Sequence, residues 1–150
     1  MGINWAAVGV SSVVYWLLQA AWFTTFSRQW ETGLRMAPEE LAAYKAHPNF
    51  WPYVIALVCN FVLAYVIARV LALGEAHNVF RGFRVGLLVG VVAALAMITE
   101  MVFEVRSQQF MMVAAGCPLV GCALMGMILG VWKPKAKELP SESAVTGTTA

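Results

Sequence analysis

The sequence predicts an all-α, polytopic membrane protein, a four-transmembrane-helix up-down bundle with a short interfacial helix in its first loop. Three observations predict it. Of 150 residues, 61% are hydrophobic and only 12% charged, whereas a soluble domain carries about 25% charged residues. Four segments reach the roughly 20 mostly apolar residues that a helix needs to cross about 30 Å of hydrocarbon at about 1.5 Å per residue. The polar residues gather between those segments and after the last of them.

The first segment, 5–26, contains no charge. Nothing before it is basic, and it exceeds the about 7 to 15 apolar residues of a secretory leader, so it is expected to stay in the mature chain. Ala6 stands where a myristoylation signal has Ser or Thr, and lipidation is not expected. The loop 27–49 follows. In it Pro38, Glu39 and Glu40 have the order of a helix first turn, where proline's fixed φ fits and acids meet the positive end of the dipole. Leu41 and Tyr44 share one face, so a short helix lying on the membrane surface is expected, ended by His47-Pro48.

The second segment covers 50–72, with Arg69 about a turn inside its end, where a long stem can snorkel. The uncharged part of the third, 85–99, is too short alone. It reaches bilayer length only as a span over 83–104, which carries Glu100 to membrane depth. The fourth, 110–132, contains Pro118, which removes a backbone donor and is expected to bend the helix near mid-membrane. Short connections after the second and third segments make neighbouring spans antiparallel. The stretch 133–150 is rich in Lys, Pro, Ser and Thr without apolar period and is expected to be a disordered tail to the 1–132 membrane domain.

An even number of spans places both termini on one side. That side would hold Arg69, Arg81, Arg84, Lys133, Lys135 and Lys137, against Arg28, Arg35, Lys45 and Arg106 on the other, so the positive-inside rule favours cytoplasmic termini. Trp5 and Trp132 mark one interface and Trp22, Trp30 and Trp51 the other, whereas Trp16 falls mid-span and is assigned to packing. A net charge of +2 is too small to form a nucleic-acid-binding field.

Lipid tails are as apolar as leucine, so membrane helices associate where small residues let backbones approach. Gly86 and Gly90 in the third span, and Gly126 and Gly130 in the fourth, have G-x-x-x-G spacing and are the expected packing positions, with Ala64 and Ala68 serving the second. Alternating steps of four and three link Gly86, Gly90, Ala93, Met97, Glu100 and Glu104 into one stripe, which predicts that Glu100 points into the bundle. A charge at the bilayer centre costs about 3 kcal/mol or more, so such groups face protein or a watery cavity.

Glu100 and Glu104 are expected level with Gln19, Thr24, Thr25 and Arg28, with Asn60 nearer the middle of its span. A ligand or proton site is one reading of that cluster, in which desolvation would hold Glu100 neutral. A carboxylate paired with Arg28 or Arg106 to lock helix order is the other. His47 and His77 have no ligand-spaced neighbours, so no metal site is expected. Cys59, Cys117 and Cys122 read as small buried hydrophobes. No nucleophile with a base partner and no phosphate loop is present in the sequence, so no cofactor and no enzyme activity are expected.

Asn4-Trp5, Ala7-Val8, Trp22-Phe23 and Trp30, then Phe103-Glu104-Val105-Arg106-Ser107, Gly116, Met125-Gly126 and Ile128-Leu129-Gly130 closing at Trp132, resemble the DUF1761 family of small bacterial membrane proteins. The resemblance covers the four spans and excludes the tail. It implies four transmembrane helices, a bacterial inner membrane and no assigned activity, and it marks Glu104 and Arg106 as candidate site residues. Cys117-Pro118 departs from it, standing where an aromatic and often a histidine are expected. The expected role is therefore non-enzymatic: a bundle that self-associates or serves as an accessory subunit of a membrane complex, with the lipid bilayer and other membrane chains as partners. The alternative is a small proton-linked carrier or channel using Glu100.

Overall fold

A computed structural model describes residues 3–74 and 78–132. His77, the lysines of the tail and the expected disorder of 133–150 lie outside the described residues. Within them the chain is helical throughout: α1 (Trp5–Thr25), α2 (Ser27–Gly33), α3 (Pro38–Ala46), α4 (Trp51–Ala72), α5 (Val79–Phe103) and α6 (Gln108–Val131). Helices α1, α4, α5 and α6, of 21, 22, 25 and 24 residues, are long and apolar enough to cross a membrane.

Short polar residues cap α1, α5 and α6. The Asn4 side chain accepts from the Ala6 and Ala7 amides at 3.2 and 3.3 Å, Asn78 from the Arg81 amide at 2.7 Å, and Ser107 from the Phe110 amide at 3.3 Å. Each satisfies an amide that the first turn leaves without an intrahelical partner. Helix α3 begins with Pro38, and the Glu40 carboxylate accepts from the Ala37 amide at 3.0 Å. The first loop thus holds two short helices, α2 as well as the expected α3. Helix α2 is separated from α1 by a single residue, Phe26, whose backbone leaves helical geometry at φ −101°, ψ 23°.

Helix α6 is the centre of the bundle. Its apolar stretch is 61% buried, against 17% for α5, because it packs on α1, α2, α4 and α5 while α1 and α5 do not meet. Val8, Tyr15, Ile67, Leu71, Cys117, Cys122 and Met125 fill the space between α1, α4 and α6.

The α5–α6 pair is built differently, backbone against backbone. Helix α5 buries Gly82, Gly86, Gly90 and Ala94. A side chain added at Gly82 would run into the Gly126 carbonyl, one at Gly86 into the Cys122 carbonyl, one at Gly90 into the Pro118 carbonyl, and one at Gly130 into that of Asn78. Each step of four along α5 is therefore met by a step of four back along α6. Gly82, the first member of this ladder, was not among the glycines singled out from sequence.

That stepping corrects the expected inward orientation of Glu100. Four residues turn a helix by about 400°, so a contact face that advances by fours drifts about 40° per step. From Gly82 to Ala94 the face has moved about 120° round α5, whereas Glu100, five turns beyond Gly82, has returned to the angle of Gly82. Glu100 is accordingly exposed on the isolated chain, and Ala93 and Met97 are only partly covered. Cys59 is a second correction. The buried face of α4 is Asn60, Ala64, Ile67 and Leu71, so Cys59, about 100° from Asn60, is exposed, while Cys117 and Cys122 are buried.

Candidate functional site: a polar seam beside an aromatic cleft

Residues 8, 12, 15, 19 and 22 recur along one face of α1 at helical spacing, and that face carries the buried polar groups of the bundle. Ser11 and Ser12 are buried and donate back to the Val8 carbonyl at 3.0 and 2.6 Å. Asn60, 4% exposed, reaches across from α4 and donates its side-chain amide to Gln19 Oε1 at 2.7 Å. Tyr15, 3% exposed, lies on the same face of α1 one turn before Gln19 and packs in the buried cluster that holds Cys117. Trp22 continues the face by donating from Nε1 to the Val113 carbonyl of α6 at 3.0 Å. These residues form one seam tying α1 to α4 and α6. Hydrogen bonds between membrane helices contribute about 0.6 to 2 kcal/mol each.

Gln19 also lines a cleft of about 560 Å³, half open, bounded by α1, the start of α4 and the two short helices. Its walls are aromatic: Trp16, Phe23, Trp30, Tyr44 and Tyr53. Trp16 is fixed by donating from Nε1 to the Tyr53 carbonyl at 3.0 Å. Trp30 is held between Phe23, at 4.6 Å between ring centroids, and Phe110, at 4.7 Å. Ala20, Thr24, Ser27, Pro52 and Ala56 complete the lining, and no charged residue is part of it. A second, apolar cavity of about 380 Å³ lies between α5 and α6, lined by Ile98, Val102, Met111 and Leu119 among others.

The structure divides the residues expected to form one site. Gln19 and Asn60 meet in the seam. Glu104 and Arg106 meet in the α5–α6 turn, with Arg106 Nε 2.8 Å from Glu104 Oε2. Glu100 and Arg28 are exposed, and among the described residues neither side chain has a hydrogen-bond or ion-pair partner. Arg106 therefore pairs with Glu104 and not with Glu100. Among the described residues no group of three His, Cys, Asp or Glu side chains is arranged to hold a metal ion.

The Glu104–Ser107 turn is locked to the first loop by two arginines. Arg106 donates to the Gly33 carbonyl at the end of α2 and lies over the Phe110 ring, 5.2 Å from its centroid. Arg35, just beyond α2, donates in return to the Val105 carbonyl. Both Arg35 and Val105 adopt φ 55°, a left-handed conformation that costs an L-residue about 1 to 2 kcal/mol and suits a β-branched side chain worst. Val105 is 75% exposed, so its side chain contributes little packing in return, and the Arg35 bond uses only its backbone. Val105→Gly is expected to raise the unfolding midpoint of the purified protein, by about 1 kcal/mol in stability once the extra freedom of unfolded glycine is subtracted. A lower midpoint would contradict this turn geometry.

Sequence reading located Gln19 and Asn60 but missed Tyr15, the aromatic walls and Arg35. The spacing of Ser12, Tyr15 and Gln19 carried a signal, since it puts three polar groups on one face of an otherwise apolar helix. The cleft had none, because its walls come from α1, α2, α3 and α4.

Four helices long enough to span a bilayer, three of them tied by a polar seam, define a polytopic helical membrane protein. The family described as "protein of unknown function (DUF1761)" matches residues 6–130, and the chain belongs to it. No curated protein and no solved structure matches the chain.

Proposed function

We propose that this chain is a non-enzymatic membrane bundle that self-associates or serves as an accessory subunit of a membrane complex in a bacterial inner membrane, with its termini on the cytoplasmic side. The observation that carries the reading is Glu100, a carboxylate on the outward face of a span-capable helix with no partner among the described residues. A charged group facing hydrocarbon is costly, by about 3 kcal/mol at the centre and less toward the interface. A neighbouring chain on that face of α5 would remove the cost by supplying a donor or a polar cavity. The reading needs no resident cofactor, and its partners are lipid, further copies or other membrane subunits.

Purified in mild detergent, the full-length protein is expected to run as an oligomer or with a co-purifying subunit, and Glu100→Leu is expected to shift that distribution toward the monomer. A clean monomer without a bound partner in the wild type would overturn the reading. The same carboxylate at a seam between copies would serve a proton-linked carrier. Proton flux in liposomes separates the two, because only the carrier loses flux in Glu100→Gln.

A further inference from the structure

The cleft between α1, α4 and the two short helices has the composition of a ligand site. Its volume of about 560 Å³ falls within the roughly 300 to 1,000 Å³ of small-molecule pockets, which combine apolar and aromatic walls with a few convergent polar groups. The decisive polar group is the Gln19 carboxamide. Its oxygen is taken by Asn60, and among the described residues its two N–H groups have no hydrogen-bond acceptor. Both are left for whatever occupies the cleft, on a carboxamide whose orientation Asn60 fixes. The Ser27 hydroxyl, also in the lining, has no hydrogen-bond partner among the described residues.

The chemistry of the lining narrows the occupant. No cation borders the cleft, so nothing there would neutralise a phosphate headgroup. A sugar requires many directed polar partners, and the aromatic residues outnumber the polar ones. An acyl chain has no use for an oriented N–H, which it would leave unsatisfied at a cost of about 1 to 3 kcal/mol. A flat, uncharged ring bearing a carbonyl oxygen satisfies each feature, by stacking on Trp and Tyr faces and accepting from Gln19. The open side of the cleft leaves room for an apolar tail to run outward.

We propose that this cleft binds the planar, uncharged, carbonyl-bearing head of a membrane amphiphile of the alkyl quinone class, with Gln19 donating to a ring carbonyl and the Trp16 and Trp30 rings forming its walls. Binding there does not depend on self-association. The experiment titrates a decyl-substituted benzoquinone into the full-length protein in phosphatidylcholine nanodiscs and follows tryptophan emission. Wild type is expected to show a saturable quench above the linear background of quinone dissolved in lipid. Ala20→Leu, which fills the cleft without touching the seam, is expected to weaken that saturable component at least tenfold, and Gln19→Leu to weaken it similarly. Should Gln19→Leu fail to fold because Asn60 loses its partner, Ala20→Leu decides alone. A purely linear quench in wild type overturns the proposal, whether the cleft is empty or filled by phospholipid. So does a saturable quench that Ala20→Leu leaves unchanged, since it locates the site elsewhere.

Discussion

Gly126→Leu is expected to abolish the native α5–α6 pairing, lowering stability by about 3 kcal/mol or more, the upper range for overpacking a tight contact. The magnitude follows from what the new side chain meets. At most crowded positions a flexible neighbour swings aside, but at Gly126 the obstacles are the Gly82 carbonyl and the Gly86 backbone, and a helix backbone moves only as a unit. Separating the helices enough to admit leucine also opens the Gly82–Gly126, Gly86–Cys122 and Gly90–Pro118 approaches together. Gly86→Leu is expected to behave alike. The control is Gly9→Ala in α1, where an added methyl group meets nothing within 4 Å. That change is expected to be neutral or to stabilise by about 0.5 to 1 kcal/mol through helix propensity. Unfolding midpoints of the reconstituted variants measure both, and equal midpoints for Gly126→Leu and wild type would refute the backbone-close register.

Arg106→Ala is expected to cost about 2 kcal/mol and to expose the first loop. Two interactions compete as the cause. The Glu104 ion pair is one, but its carboxylate side chain is 56% exposed, and exposed pairs contribute about 0 to 1 kcal/mol. The other is the bond to the Gly33 carbonyl combined with packing over Phe110. Gly33 is buried, so losing the guanidinium leaves its carbonyl unsatisfied, at about 1 to 3 kcal/mol. The carbonyl bond therefore dominates, and Glu104→Gln is expected to cost well under half as much as Arg106→Ala. Arg106→Lys should not restore the wild type, because an ammonium group lacks the planar fork that meets two acceptors while lying on a ring. With the loop released, trypsin is expected to cut faster after Arg28 and Arg35. Equal damage from Glu104→Gln and Arg106→Ala would reverse this ranking.

These expectations recast the Glu104-Val105-Arg106-Ser107 motif. In sequence its acid and base looked like candidates for chemistry. In the structure Glu104 closes α5, Val105 makes the left-handed turn, Arg106 clamps the first loop and Ser107 caps α6. Its returning partner, Arg35, lies 70 residues away in the chain from Val105, and no local pattern announces a bond of that kind.

What the sequence by itself determined was the class of element: four long apolar helices, a short one opened by Pro38, and an all-α chain suited to a bilayer. Length, apolarity and capping are local properties, set by neighbours within a turn or two, so they can be read along the chain. Only the tertiary structure decided which face of each helix is covered. Gln19 finds Asn60 because α1 lies on α4, and Glu100 faces outward because small angular steps between glycines accumulate over the length of α5. The cleft takes its walls from four separate helices, and α6 became the central helix through a choice of neighbours that mean hydropathy, 2.1 in α6 against 2.4 in α4 and 2.3 in α5, does not encode.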